Sequence, residues 1–239
     1  MLRTVGMILY VAGYLISHLP MLLKAKLLEK DPEKHAAYCR NKIVTFIRRC
    51  NRVMGMQVEL RGVENIPDHA TLTVYNHQSL LDAFVLIAHM PNTESMVAKK
   101  ELEKAPLLSN WMKAGKCIFI DRSSPRAGML CIKQGAELLA NNINVTIAPE
   151  GTRNNGGELL EFKAGAFKMA TRAEVPVLPL CIEGTAAMFE ANGKKLRPGK
   201  VLVTILPPVP TKGLTKEEQK ELPAKVREQI RNVLEENKK

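Results

Sequence analysis

The chain has 239 residues, of which 46% are hydrophobic, and its 35 Lys and Arg outweigh 24 Asp and Glu to give a formal net charge of +11. This composition excludes wholesale disorder and allows one sizeable α/β domain with an appendage. The positive charge favours an anionic partner, which is a membrane surface, a phosphorylated substrate or a nucleic acid.

The first predicted element is apolar. Residues Thr4–Leu23 include no Asp, Glu, Lys or Arg, and their length is close to the ~20 residues of a membrane-spanning helix. Glycine, serine and proline within the run make it a poor span. The lone Arg3 before it, with no clear small-residue cleavage site after it, argues against a signal peptide. We therefore expect a helix that dips into one leaflet of a membrane.

A basic amphipathic helix is predicted next, between Glu33 and Met54. Its apolar residues recur at helical spacing, and five cations lie among them: Arg40, Lys42, Arg48, Arg49 and Arg52. Such a pair of helices is typical of an interfacial anchor that places cations at anionic headgroups. Residues 1–54 are thus predicted to be a two-helix membrane-associating motif. The alternative is that both helices only pack against the main domain.

Residues 55–239 alternate β-rich runs with helical stretches, which predicts an α/β domain with a mostly parallel sheet flanked by helices. Seven strands are expected, at Gln57–Leu60, Thr71–Tyr75, Ser95–Ala98, Cys117–Asp121, Ile143–Ala148, Pro176–Ile182 and Val201–Leu206. Helices are expected between them at Leu80–Met90, Pro106–Ala114, Pro125–Asn141 and Lys163–Arg172. In the tail, Thr215 and Glu218 have the spacing of a capping box, and Pro223 is expected to open a last helix.

The clearest chemical pattern is Asn76-His77-Gln78-Ser79-Leu80-Leu81-Asp82, directly after the second predicted strand. Functional groups of α/β sheets lie where a strand ends and a helix begins. With Ser79 as the helix cap, Asp82 would point back over the turn that carries His77, since helical side chains lean toward the N-terminus. A carboxylate there can hold one imidazole nitrogen and leave the other free to accept a proton. On spacing alone, a capping box with His77 as an ordinary turn residue is the simpler interpretation.

Glycine and cations at other strand ends form a second group. In Glu150-Gly151-Thr152-Arg153, glycine allows backbone N–H groups to approach an anion, and the planar guanidinium of Arg153 suits phosphate. Arg122 closes another strand beside Asp121, whose carboxylate is expected to neutralise that arginine in part. Three lysines lie near further element ends: Lys99, Lys100 and Lys163. Each feature taken alone is also explained by a polar turn or a surface charge.

Four motifs follow one another along the chain: Asn-His-x4-Asp at 76–82, an apolar strand closing on arginine at 118–122, Glu-Gly-Thr-Arg at 150–153, and a proline-bearing apolar strand at 175–180. Their order and spacing, across about Gly55–Leu206, resemble the bacterial 1-acyl-glycerol-3-phosphate acyltransferases within the wider glycerolipid acyltransferase superfamily. The N-terminal helices are similar to the two-helix membrane motif of bacterial members. His-x4-Asp alone is a weak pattern, whereas four motifs in order are specific.

The resemblance implies a shallow, twisted α/β domain at the cytoplasmic face of the membrane. It implies transfer of a fatty acyl group from acyl-CoA or acyl carrier protein to the sn-2 hydroxyl of lysophosphatidic acid, giving phosphatidic acid in phospholipid biosynthesis. His77 would be the general base, Asp82 would orient it, and no acyl-enzyme would form. The thioester would be a co-substrate, with no cofactor or metal.

Substrate contacts are also implied by the resemblance. Arg122 and Arg153 would bind the acceptor phosphate together with backbone near Gly151, and Arg153 is the more secure of the two arginines because Asp121 adjoins the other. Lys99, in preference to Lys100, would stabilise charge on the carbonyl oxygen or on the donor. The full substrate-binding set is Asn76, Lys99, Arg122, Glu150, Gly151, Thr152, Arg153 and Lys163.

Other interpretations stay open at this point. The acceptor could instead be glycerol 3-phosphate, another lysophospholipid or a lipid-linked amine, or the chain could be a non-catalytic peripheral protein that binds anionic lipids. Nucleic acid is disfavoured because aromatic residues make up only 5% of the chain, too few for stacking platforms. Five cysteines without a C-x-x-C pair predict small core residues in a reducing compartment, and dispersed histidines predict no metal site.

Overall fold

The computed structural model describes residues 2–17, 19–91 and 93–237, so Met1 and His18 of the predicted anchor lie outside the described residues. Within these ranges seven strands form one sheet in the order β1-β7-β6-β2-β5-β3-β4. The strands are β1 Met56–Arg61, β2 Leu72–Tyr75, β3 Ser95–Lys99, β4 Ile118–Ile120, β5 Val145–Ile147, β6 Val177–Glu183 and β7 Gly199–Ile205. Every predicted strand is confirmed, with bounds shifted by no more than two residues.

Strands β2 to β6 run parallel to one another, whereas β7 is antiparallel to β6 and parallel to β1. The prediction of a mostly parallel sheet flanked by helices is confirmed. Because the carboxyl ends of parallel strands meet at one edge of a sheet, the segments after β2, β4, β5 and β6 all emerge at the same edge. The motifs at 76–82, 118–122 and 150–153 therefore converge there, and the fourth, at 175–180, leads into and forms most of β6.

Helices cover both faces of the sheet. They are α1 Leu2–Ser17, α2 Leu19–Leu27, α3 Pro32–Met54, α4 Asp82–His89, α5 Pro106–Ala114, α6 Pro125–Ala140, α7 Ala164–Ala173, α8 Thr185–Met188 and α9 Lys216–Glu236. One hydrophobic core joins the sheet to α6, α7 and α9. A second core joins the opposite face to α1, α3, α4 and α8.

The C-terminal helix differs from its prediction. The capping box between Thr215 and Glu218 is present and starts α9, but Pro223 lies inside that helix and does not open a separate one. An interior proline removes one backbone hydrogen bond and costs about 3 kcal/mol. Here Pro223 is itself buried on the same face as Leu222, Val226 and Ile230, so packing against the core offsets that cost.

The N-terminal helices contact the α/β domain and also leave apolar side chains in solvent. The rings of Tyr14 and Phe46 stack at 4.2 Å between α1 and α3, and Thr4 Oγ1 accepts a 2.9 Å hydrogen bond from the backbone N–H of Leu196. Six large apolar side chains of these helices are exposed: Val5, Ile8, Leu9, Ile16, Leu23 and Leu27. Among the described residues, every helix is too short or too polar to cross a membrane.

Two of the predicted headgroup cations have partners inside the protein. Arg48 Nε donates a 3.0 Å hydrogen bond to the carbonyl oxygen of Ala88, and Arg40 donates to the carbonyl oxygen of Pro91. They tie α3 to the end of α4. The division of the chain at residue 54 and the membrane role of residues 1–54 stay predictions.

Candidate active site

His77 and Asp82 form a close pair in the turn after β2. His77 Nδ1 lies 2.7 Å from Asp82 Oδ2, and the Asp82 side chain is completely buried while that of His77 is 19% exposed. A buried carboxylate accepts hydrogen bonds, so Nδ1 carries the proton that it donates to Asp82. Nε2 then holds a lone pair and can accept a proton from a substrate.

Two further donors hold the Asp82 carboxylate. The backbone N–H of Ser79 donates to Oδ2 at 2.9 Å, and the hydroxyl of Thr185 donates to Oδ1 at 2.6 Å. The expected direction of Asp82, back over the His77 turn, is therefore confirmed. Ser79 as N-cap is wrong, because α4 begins at Asp82 with Leu81 as its N-cap. The Ser79 hydroxyl accepts from the Leu81 N–H and donates to Glu190.

Asn76 joins β2 to β6 instead of projecting into an open site. Its Nδ2 donates to the carbonyl oxygen of Ile182 at 2.8 Å, and its Oδ1 accepts from the N–H of the same residue at 2.7 Å. The side chain is buried. This reciprocal pair fixes the backbone immediately before His77, while the ring of Tyr75 meets the imidazole edge-on at 5.7 Å.

The Glu150 carboxylate is a buried acceptor for backbone groups. Oε1 accepts from the N–H of His77 at 2.5 Å, and Oε2 accepts from the N–H of Leu160 at 3.0 Å and from Asn154 Nδ2 at 3.1 Å. Burial raises the pKa of Glu150, and the hydrogen bonds from His77 and Leu160 oppose that rise. The backbone N–H of Asn154 in turn donates to the His77 carbonyl oxygen at 2.8 Å. These contacts attach the Glu-Gly-Thr-Arg segment to the His77 turn.

Arg122 and Lys163 converge on Gly151. Arg122 donates to the Gly151 carbonyl oxygen, and a Cβ added at Gly151, where φ is +72°, would lie 2.7 Å from Lys163 Nζ. The positive φ favours glycine there, and a larger residue would also displace the end of the Lys163 side chain. All three residues line a cavity of about 320 Å³ that also borders Pro125, the first residue of α6. This cavity presents two cations at the edge of the sheet.

The charge pairing of the two arginines is the reverse of the expected one. Asp121 does not pair with Arg122; it accepts from the N–H and hydroxyl of Ser123 at 3.1 and 2.6 Å, and it lies 3.7 Å from Lys100. Arg153 is the arginine with a carboxylate partner, because its Nη1 donates to Glu190 at 3.0 Å.

The remaining predicted residues lie at the same edge without joining the His77 turn. Lys99 ends β3, and its exposed ammonium group is 2.9 Å from Glu101. Thr152 is exposed. In the ranges that the structure describes, neither side chain hydrogen-bonds to His77 or Asp82, so their substrate roles stay predictions.

Sequence reasoning missed Thr185 and Glu190, which both follow β6. Thr185 had a signal in the sequence, since it follows a glycine at a strand end. The structure requires that glycine: at Gly184 φ is +93°, and an added Cβ would lie 2.3 Å from the Lys200 carbonyl oxygen. That turn delivers Thr185 to Asp82. Glu190 had no comparable signal, because it lies in a short turn beyond α8.

The cysteines are free and mostly buried, as predicted. Burial raises the pKa of Cys117 and Cys131 to about 11 and that of Cys50 to about 12, which disfavours reactive thiolates. Among the described residues, no three His, Cys, Asp or Glu side chains are grouped so that they could hold a metal ion.

Comparison with known proteins places this geometry in a family. The Acyltransferase family model matches residues 57–183. Human 1-acyl-sn-glycerol-3-phosphate acyltransferase alpha is 36% identical over 186 residues, which cover 76% of this chain and 65% of the human protein. A probable 1-acyl-sn-glycerol-3-phosphate acyltransferase of Mycoplasma pneumoniae is 30% identical over 84% of this chain and 77% of its own length.

A solved structure agrees over nearly the whole chain. The crystal structure of the 1-acyl-sn-glycerophosphate (LPA) acyltransferase PlsC from Thermotoga maritima matches with a TM-score of 0.83 and 29% identity, covering 98% of this chain and 95% of that one. The chain belongs to the acyltransferase family, and the resemblance drawn from the four motifs is confirmed. The match to this chain spans less than two thirds of the length of its human, yeast and bovine relatives.

The contacts of Glu150 predict the effect of a neutral substitute. Glu150→Gln places an amide NH₂ against the N–H of His77 or of Leu160, because both carboxylate oxygens accept from backbone donors. We expect a loss of stability of about 1–3 kcal/mol, measured by urea unfolding. Glu158→Gln, an exposed change in the same loop, should leave stability unchanged. A stable Glu150→Gln protein would contradict this scaffold role.

Proposed function

We propose that this chain is a 1-acylglycerol-3-phosphate O-acyltransferase, which transfers a fatty acyl group from a thioester to the sn-2 hydroxyl of lysophosphatidic acid and forms phosphatidic acid. The main observation in support is the His77–Asp82 pair, whose Nδ1 and Oδ2 atoms lie 2.7 Å apart at a sheet edge that also presents Arg122 and Lys163. Those cations suit a phosphorylated acceptor. The names of the human, Mycoplasma pneumoniae and Thermotoga maritima relatives support the same acceptor.

In the proposed reaction His77 acts as general base. Nε2 takes the proton of the acceptor hydroxyl while its oxygen attacks the thioester carbonyl carbon. The tetrahedral intermediate collapses with loss of the thiolate, which receives the proton back from the imidazolium. Asp82 stabilises that imidazolium and holds the ring through Nδ1. The acyl group passes directly to the acceptor, with acyl-CoA or acyl carrier protein as co-substrate and no further cofactor.

The acceptor phosphate is proposed to bind between Arg122 and Lys163. Neither side chain has a carboxylate within salt-bridge distance among the described residues, so both retain charge for a ligand. Arg153 is proposed as a further ligand, with its charge partly offset by Glu190. Lys99 remains the proposed contact for the carbonyl oxygen or the donor.

An assay of thiol release tests the reaction and the base together. His77→Ala should lower acceptor-dependent release of CoA from oleoyl-CoA by about 10²–10⁴-fold, because the general base is lost. His69→Ala is the matched control, since this exposed histidine pairs with Asp68 before β2. Near-normal turnover by His77→Ala would refute the assignment. Acceptor-independent release would indicate hydrolysis of the thioester and contradict acyl transfer, and no release with either donor would favour a non-catalytic lipid-binding protein.

The phosphate site is tested on the acceptor side. Lys163→Ala should raise the KM for lysophosphatidic acid by about tenfold, the scale of one charge-assisted hydrogen bond, with a smaller change in kcat. Lys168→Ala, an exposed lysine on α7, should have no effect. An unchanged KM in Lys163→Ala would exclude a direct phosphate contact, and preference for another acceptor would revise the substrate.

We also propose that α1, α2 and α3 place the enzyme on the cytoplasmic face of the membrane. The support is the exposed apolar surface of α1 and α2, where Ile16 and Leu23 are 64% and 66% exposed, beside the basic helix α3. Apolar side chains that contact no core gain free energy in the acyl boundary of a bilayer.

Substitution of these side chains tests the anchor without disturbing the core. The double variant Ile16→Gln/Leu23→Gln should lose most of its co-sedimentation with vesicles containing anionic phospholipid. The control is Met129→Gln/Leu130→Gln on α6, where both side chains are exposed to a similar extent, and it should sediment as wild type does. Equal sedimentation of all three proteins would contradict the anchor.

A further inference from the structure

Glu190 is a buried carboxylate that receives donors from two separate motifs. Its side chain is only 5% exposed. Oε2 accepts from the Ser79 hydroxyl at 2.5 Å, and Oε1 accepts from the Leu80 N–H at 2.9 Å and from Arg153 Nη1 at 3.0 Å. Ser79 and Leu80 belong to the turn that carries His77. Glu190 therefore connects that turn to the arginine of the Glu-Gly-Thr-Arg segment.

The geometry leaves Arg153 both fixed and accessible. Its side chain is 44% exposed, and within the described residues only Nη1 has a protein partner. A guanidinium carries five N–H donors in a rigid plane, so holding one edge against Glu190 sets the direction of the others. The backbone of the next residue is held too, since Asn154 N–H donates to His77 at 2.8 Å.

We infer that Glu190 is a positioning residue, which orients the free edge of Arg153 toward the acceptor phosphate beside His77. This inference rests on the proposed function and deepens it, because it gives the Glu190–Arg153 pair a role in selecting acceptors that carry phosphate. Without the pair, a half-exposed arginine samples many rotamers, and binding must again fix it at an entropic cost.

The competing explanation is that Glu190 only braces the Ser79–Leu80 turn. In that case its loss lowers stability and leaves the choice of acceptor unchanged. Glu190→Gln separates the two roles. The amide keeps the size of the side chain and one oxygen to accept from Leu80 or Ser79, but it removes the negative charge that holds Arg153.

Equilibrium binding provides the test, by isothermal titration of the full-length protein with a short-chain 1-acyl-glycerol 3-phosphate below its micelle concentration. Glu190→Gln should weaken binding by about tenfold, the scale of one charge-assisted hydrogen bond. Arg153→Ala should weaken it to a similar extent, and the double variant should bind no more weakly than Arg153→Ala. The matching 1-acylglycerol without phosphate should bind all proteins equally. Glu158→Gln is the charge-matched control.

Three results would overturn the inference. Wild-type affinity in Glu190→Gln would show that Arg153 needs no support. Tighter binding would show that Glu190 competes with the phosphate. A further loss on adding Glu190→Gln to Arg153→Ala would show that Glu190 acts through another group, such as the turn.

The binding test of Glu190 can be distinguished from the test of the proposed reaction, because binding requires no turnover. Thiol release by wild type, measured in parallel, reports on the proposed function alone. Phosphate-dependent binding that Glu190→Gln weakens, without any turnover, would support the Glu190 assignment and refute the enzyme. Turnover by wild type with unaltered binding in Glu190→Gln would support the enzyme and refute the Glu190 assignment.

Discussion

The buried carboxylate of Asp82 is the constraint on which the rest of the site depends. An ionised carboxylate in a protein interior must be fully hydrogen-bonded, because leaving it unpaired costs several kcal/mol, on the order of 3–5. Three groups meet that need: His77 Nδ1, the Ser79 N–H and the Thr185 hydroxyl, at 2.7, 2.9 and 2.6 Å. They come from the turn itself and from the segment after β6. The hydrogen bonds that this one carboxylate requires therefore hold the histidine and the segments after β2 and β6 in contact.

The same principle recurs at Glu150 and Glu190. Each is a largely buried carboxylate whose acceptors are occupied by donors from distant segments. Because β2 lies between β5 and β6 in the sheet, the acids that follow its two neighbours reach the His77 turn from opposite sides. The acidic residues thereby build the frame, and Arg122, Lys163 and one edge of Arg153 remain for an anionic ligand.

Much of this was predictable from the sequence, where the signal is local. The strands are runs of β-rich residues, and the Asp82 direction follows from helix geometry, so both were predicted. The start of α4 and the continuation of α9 through Pro223 were not, because they depend on contacts with Glu190 and with the core. A local sequence pattern does not reveal partners that are distant along the chain.

Charge pairing shows the same limit more sharply. Adjacency in sequence suggested that Asp121 neutralises Arg122, whereas the folded chain turns Asp121 to Ser123 and Lys100. Glu190, 37 positions from Arg153, supplies the carboxylate instead. Similarly, Asn76 and Glu150 stand in functional motifs, yet their side chains bind backbone groups of other strands and loops. Motif membership identified residues that matter without revealing which atoms face a substrate.

The most direct measurement of the central claim is the protonation state of His77, by ¹⁵N NMR of protein labelled at histidine and assigned with His77→Gln. We expect the neutral ring to carry its proton on Nδ1, donated to Asp82, with a lone pair on Nε2 ready to accept the acceptor's proton. A ring protonated on Nε2 alone would contradict it, because Asp82 would then accept no proton from Nδ1 and the proposed base would have no free electron pair facing the substrate.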